Sequence, residues 1–355
     1  MATWKYIDLT IDGHLIKAQA PIIISASRST DIPAFYADWF FKRLEIGYSA
    51  WTNPFNGVKS YVSYEKTRFI VFWSKNPRPL LDYLHILEER NIKCYIQFTL
   101  NDYEGEKLER GVPPLTERIE TFKKLVDVLG YGSVIWRFDP LMLTDDIDID
   151  KLLKKIENIG DQLKGYTEKL VFSYADIAVY RKVKANLERS GTPYHEWTEE
   201  QMDIFAMKLS AMNKERGWNY ALATCGEKID IAKYGVEHNR CIDGDLITRL
   251  AWKDKELMDF MKVKIQDVPV PSLFGDVVIP KESILLPNNK YFISAHKKDF
   301  GQRELCGCMS AKDIGEYNTC PHLCEYCYAN TSKESALANW KRHLDNPSAE
   351  TIIGK

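Results

Sequence analysis

The 355-residue sequence predicts an α/β fold: a (β/α) barrel, full or partial, with an N-terminal β-ribbon and a cysteine-rich C-terminal extension folding over the barrel mouth. Three observations predict it. Short apolar runs rich in β-branched and aromatic residues alternate with segments of helical period. The runs are nearly continuous rather than alternating, as suits strands of a parallel sheet covered on both faces. Polar residues cluster just after each run, and in a (β/α) barrel the strand ends ring one opening.

In chain order, Lys5 to Ala18 alternates around Asp12-Gly13, a hairpin signal, so residues 1–20 form a ribbon at the barrel bottom or edge. Ile22 to Ser25 reads as the first strand, followed by a helix near 34–45, with Tyr48 to Thr52 as a weaker second strand. Phe69 to Trp73 precedes a helix over Pro79 to Arg90, and Cys94 to Phe98 precedes one at about 115–129. Ser133 to Trp136 leads to a helix at 148–163, Lys169 to Ser173 to one at 198–216, and Tyr220 to Thr224 ends at Cys225. A last helix lies near 245–263. Four prolines between Val268 and Asn289 (Pro269, Pro271, Pro280 and Pro287) mark a connecting arm rather than a packed helix. The chain thus divides into a barrel with its hairpin, residues 1–265, and an arm with a cysteine-rich tail, residues 266–355.

The polar groups after the runs are Ser25, Ser27, Arg28, Ser29 and Asp31; Thr52 and Asn53; Ser74, Lys75 and Asn76; Gln97 and Thr99; Arg137 and Asp139; Ser173 and Asp176; Cys225 and Glu227. Lys75 in Trp73-Ser-Lys-Asn-Pro77 and Arg137 with Asp139 in Trp136-Arg-Phe-Asp-Pro140 sit between bulky apolar neighbours. Charges placed there should be paired or used.

A formal net charge of −2 gives no whole-chain basic field for nucleic acid or an anionic membrane. The N-terminus lacks the apolar stretch of a signal peptide, and no apolar run is long enough to span a bilayer. The reading is a soluble protein of the reducing cytoplasm, where thiols stay free to bind metal. No GxGxxG follows the first strand, and no Walker loop, G-x-S-x-G elbow or H-E-x-x-H pair occurs.

Five of the eight cysteines fall between residues 306 and 327, the last three spaced Cys320-x3-Cys324-x2-Cys327. Short loops let three such thiolates turn toward one centre. Two metals compete on this pattern. Zinc in a structural site takes four ligands, and Cys324-x2-Cys327 could pair with Cys306 and Cys308 or with His322. An iron-sulfur cluster bound by three cysteines leaves one iron open to another ligand. His322 otherwise reads as a polar loop residue.

Cys320-Pro-His-Leu-Cys324-Glu-Tyr-Cys327-Tyr328 resembles the CxxxCxφC signature of the radical S-adenosylmethionine superfamily, with aromatic Tyr326 at φ. The wider stretch from Asp313 to Asn330 resembles an uncharacterised family carrying this motif at its C-terminus. It is also similar, distantly, to the CxYCY form of spore photoproduct lyases. The resemblance implies that Cys320, Cys324 and Cys327 bind a 4Fe-4S cluster whose open iron chelates S-adenosylmethionine, and that a 5′-deoxyadenosyl radical then takes hydrogen from a substrate. Tyr326 would border the adenine or the cluster.

The superfamily usually carries this motif after the first barrel strand, where this sequence has no cysteine, so the tail must fold back over the strand ends. On charge and position, Lys75 or Arg137 would pair with the methionyl carboxylate, and Asp139 or Asn53 would accept ribose hydroxyls. Cys306 and Cys308, with Cys225 and Cys241, make four further thiolates, enough for a second iron-sulfur cluster or a closed zinc site. Cys94 reads as core. The substrate class is a small molecule or peptide, with nucleic acid the alternative, and the electron donor a flavodoxin or ferredoxin. Two other functions stay open: a zinc-stabilised binding module on a barrel, and an iron-sulfur electron-transfer protein.

Overall fold

The computed structural model describes residues 4–53, 56–269 and 279–354. The chain opens with an antiparallel hairpin, β1 (Lys5–Ile11) and β2 (His14–Ala20), turned at Asp12 and Gly13, both at positive φ. There follow β3 (Ile23–Ala26), α1 (Ile32–Phe35), α2 (Ala37–Ile46), β4 (Tyr48–Thr52), β5 (Lys59–Ser63), β6 (Phe69–Ser74), α3 (Leu84–Glu89) and β7 (Lys93–Thr99). Next come α4 (Leu115–Leu129), β8 (Val134–Leu141), α5 (Ile149–Leu163), β9 (Lys169–Tyr174), α6 (Arg181–Ser190), α7 (Glu199–Glu215), β10 (Ala221–Thr224) and β11 (Val236–His238). The C-terminal part carries α8 (Gly244–Ala251), α9 (Lys255–Met261), β12 (Gln266–Asp267), β13 (Ser283–Leu286), β14 (Lys290–Ile293), β15 (Lys312–Asp313) and α10 (Lys333–Asp345).

Eight strands form one parallel sheet in the order β11-β10-β9-β8-β7-β6-β3-β15. Among the described residues no ladder joins β11 to β15, so the hydrogen-bonded array is open. Strand periodicity then decides what each face meets. Ile24, Ile70, Ile96, Trp136 and Phe172 point to one face and pack with Phe40, Phe122, Ile156 and Phe205 from α2, α4, α5 and α7. Ile23, Val71, Tyr95, Ile135 and Val171 point to the other, where Leu246 and Ile247 of α8, Met258 of α9 and Phe292 cover them. Both faces are therefore dry, which is why the strands read as continuous apolar runs. Burying each such side chain contributes about 2 kcal/mol.

Several expectations need correction. Tyr48–Thr52 is not a strand of the parallel sheet: β4 pairs antiparallel with β5 in a separate sheet ordered β1-β2-β5-β4. Only Gly47, in the left-handed region, separates it from α2, too short a link for a crossover back to a parallel neighbour. The helix expected near 34–45 breaks at Tyr36, and Asp31 caps its first piece by accepting from the Ala34 amide. The helix expected at 245–263 breaks where Asp254 caps α9. Helix α6 and strand β11 were not expected. The proline-rich arm holds the three-stranded sheet β12-β14-β13, and Pro271 lies outside the described residues. No helix among the described residues is long and apolar enough to cross a membrane.

Candidate functional site

The tail reaches the parallel sheet by becoming part of it. Lys312 and Asp313 pair in register with Ile24 and Ser25 of β3, so the Asp313 carboxylate arrives at that strand's carboxyl end. There it accepts from Ser25 Oγ (2.9 Å), Ser27 Oγ (2.6 Å), Ser29 Oγ (3.3 Å) and the amides of Arg28 (2.9 Å) and Gly315 (3.0 Å). The serine-rich run after the first strand is thus a carboxylate cradle. A Cβ on Gly315 would come within 1.9 Å of Ser27 Oγ, so only glycine lets the tail lie this close.

Asp31 makes the second attachment. It accepts from Ser74 Oγ (2.7 Å), the Lys75 amide (2.7 Å) and, across 291 residues, pairs with His322 Nε2 at 2.7 Å. His322 Nδ1 lies 3.0 Å from the Gly111 carbonyl, and Phe35 meets the ring edge-on. His322 lies in a loop, as the sequence reading has it, yet it is buried, and protein partners occupy both ring nitrogens.

Between these attachments lies the cysteine motif. Tyr36 Oη donates to the Thr319 carbonyl, Asn330 Nδ2 to the Cys320 carbonyl, and Asn186 Nδ2 of α6 to the Cys327 carbonyl. Burial pushes all three thiols up, and the charge of Cys327 adds to this for Cys320, as do those of Cys327 and Cys320 for Cys324. Lys75 acts in the opposite sense on Cys324, as do the Asn330 and Ala329 amides on Cys327 and the His322 and Asp31 amides on Cys320. Among the described residues no three histidine, cysteine, aspartate or glutamate side chains stand in a metal-holding group. The donor chemistry nonetheless fits a thiophilic metal: one buried and two half-buried thiols, amides directed at two of the sulfurs, and a cation beside the third.

Lys75 and Tyr326 meet below the motif. Lys75 Nζ lies 2.6 Å from Glu109 Oε1 and 3.0 Å from Tyr326 Oη, which itself donates to Glu109. Asn101 Nδ2 donates to both oxygens. Burial alone would raise the Glu109 carboxyl, but Lys75 and Arg118, with hydrogen bonds from Lys75 and Tyr326, hold it down at about 2. Lys75 is thus paired within the protein. Glu109 lies in the charged run Glu104 to Arg110, where nothing in the sequence singled it out.

The polar strand ends meet on the face that carries α8. Trp73 Nε1 donates to Ser25 Oγ, and the guanidiniums of Arg28 and Arg137 lie over its ring, 5.7 and 5.4 Å from the centroid. Arg137 donates to Gln97 Oε1 (3.3 Å), to Cys241 Sγ (3.2 Å) and to Asp139, which also accepts from Ser173. Gln97 in turn donates to the Cys241 carbonyl. Asn53 is apart from this row: it belongs to the β4–β5 hairpin, where its amide donates to the Val58 carbonyl.

The other four thiols gather beside Arg137. Cys225 Sγ lies 3.4 Å from Cys241 Sγ, and Cys308 and Cys306 pack in the same cluster. Hydrogen bonds from the Cys225 and Cys308 thiols, with Arg137, outweigh burial and hold the Cys241 thiol well below its ordinary range. The same contacts push Cys225 and Cys308 up. Cys94 is buried in the core, as read from the sequence.

Fold and site together define an α/β protein whose cysteine-rich extension is built into the carboxyl edge of a parallel sheet. The chain belongs to the family described as "Domain of unknown function (DUF1848)", whose model matches residues 23–329. No curated protein and no solved structure gives a significant match.

Proposed function

We propose that this protein is a radical S-adenosylmethionine enzyme of the reducing cytoplasm, acting on a small molecule or peptide and reduced by a flavodoxin or ferredoxin. The observation that carries the reading is the CxxxCxYC motif held, by Asp313 and by His322, against the carboxyl ends of a parallel sheet. That is where α/β enzymes place their chemistry. In this reading the sheet is a partial barrel, and residues 266–355 are its cluster-binding unit.

Cys320, Cys324 and Cys327 would hold the 4Fe-4S cluster. When bound, the cluster and S-adenosylmethionine supply one-electron cleavage of a sulfonium to a hydrogen-abstracting radical. The protein's own residues hold and shield. Lys75 offsets thiolate charge near Cys324, Tyr326 anchors the motif on Glu109, and the buried position of Cys324 keeps water away. Asp139 at its strand end is the group assigned to ribose hydroxyls, and Arg28 and Arg137 form the cationic wall for a carboxylate.

The test is anaerobic reconstitution with iron and sulfide, followed by reduction in the presence of S-adenosylmethionine. The expected result is a broad iron-thiolate absorbance, lost in Cys324→Ala, and release of 5′-deoxyadenosine. Iron-replete protein that releases none, with a spectrum indifferent to Cys324→Ala, overturns the reading.

A further inference from the structure

We infer that Cys225, Cys241, Cys306 and Cys308 form a closed, mononuclear tetrathiolate site for zinc, separate from the Cys320–Cys327 motif, that clamps the root of the tail to the end of the parallel sheet. The four come from three places in the chain. Cys225 follows β10, Cys241 opens the turn into α8, and Cys306 and Cys308 lie on the strand of chain that leads to β15.

Spacing favours a single ion over a four-iron cluster. Two thiolates on one tetrahedral zinc, at a Zn–S distance of ~2.3 Å, lie roughly 3.8 Å apart. Cys225 and Cys241 stand 3.4 Å apart, in that range and well outside a disulfide's ~2.0 Å. In a four-iron cluster each iron carries a single cysteine, which sets the sulfurs much farther from one another.

The thiols alone leave the group incomplete. Cys225 and Cys241 touch, and Cys308 and Cys306 pack in the same cluster. As the side chains stand, no three form a metal-holding group, and an ion would draw the four into a tetrahedron.

The surroundings are those of a bound thiolate set. Arg137 Nη1 and Asn239 Nδ2 each donate to Cys241 Sγ at 3.2 Å, and the Ile242 amide points to Cys308 Sγ at 3.4 Å. Such N–H···S bonds orient and tune ligating sulfurs. A dication with four thiolates keeps two negative charges, and two guanidiniums, Arg28 and Arg137, stand beside this group. Arg28 feels the charges of Cys308, Cys241 and Cys306, and its Nε is buried without a hydrogen-bond partner. With three protein elements supplying all four ligands, no position is left open for substrate, which makes the role structural.

The experiment uses the full-length chain with Cys320, Cys324 and Cys327 all changed to Ser, which removes the other proposed centre, so the two readings fail independently. Expressed with zinc and iron, it should hold about one zinc per chain with no acid-labile sulfide. Adding Cys225→Ser and Cys308→Ser should abolish that zinc. Cobalt(II) added to the triple variant stripped of metal should give the intense ligand-field spectrum of a tetrahedral thiolate site, which keeps the test decisive if the quintuple variant does not fold. Zinc absent from the triple variant, all four thiols alkylated equally with and without added zinc, or retained sulfide would overturn the inference.

Discussion

Asp31 Oδ2 and His322 Nε2 lie 2.7 Å apart, both buried, and join the loop after the first parallel strand to the interior of the cysteine motif. Asp31 also caps α1 and holds the chain after β6, so one carboxylate positions three segments around the motif.

Asp31→Ala should therefore cost about 3 kcal/mol, because it strips partners from a buried histidine, a hydroxyl and two amides at once. Urea unfolding gives the loss directly. Limited proteolysis should cut between residues 315 and 330 in the variant before it cuts the wild type.

Gly111 is a second contact of this kind. A Cβ there would meet the carbonyl oxygens of His322 and Pro321 at 2.7 and 2.8 Å, and backbone cannot swing aside as a side chain would. Gly111→Ala should destabilise by about 2 kcal/mol. Gly105→Ala, on the same loop with no atom near its Cβ, should stay within about 0.5 kcal/mol of wild type.

The Glu109 carboxyl sits at about 2 in the folded protein against ~4.3 when unfolded. The folded state therefore binds fewer protons at this group, and its contribution, on the order of 3 kcal/mol, is complete above pH ~4.3 and is lost as pH falls toward 2. Unfolding measured from pH 2 to 6 should show this limb, and Glu109→Gln should flatten it while lowering stability at pH 7.

Lys75→Met leaves Glu109 buried without its ammonium partner and should cost about 3–5 kcal/mol. Lys75→Met with Glu109→Leu should cost less than that single change, since no charge is then stranded. Tyr326→Phe removes one hydrogen bond to Glu109 and should cost about 1–2 kcal/mol, while leaving the aromatic position of the motif filled. Chemical denaturation of wild type and these three variants measures each loss.

What could be read from the sequence depended on how local the signal was. The apolar runs of β6 to β10 declare themselves because both faces of the sheet are covered, and their polar ends fell on one face because strand alternation leaves no choice. Tyr48–Thr52 misled because a hairpin strand with a half-buried pattern looks, one segment at a time, like a weak parallel strand. The pairing of Cys225 and Cys241 with Cys306 and Cys308 could be argued from arithmetic on thiols. Glu109 could not be found, because its importance comes entirely from Lys75, Arg118 and Tyr326 converging on it from distant segments. His322 was equally opaque: nothing nearby in sequence says that Asp31 waits for it.

The pairing of β15 with β3 sets an order of events in synthesis. The first strand of the parallel sheet is made early, yet its outer neighbour is residues 312–313, so β3 presents an unpaired edge to the cell while most of the chain is still being translated. Seven strands can assemble before the eighth exists. The protein completes its sheet last at the strand it makes first, so a chain stalled or cut before Lys312 keeps a bare edge open to another chain's strand.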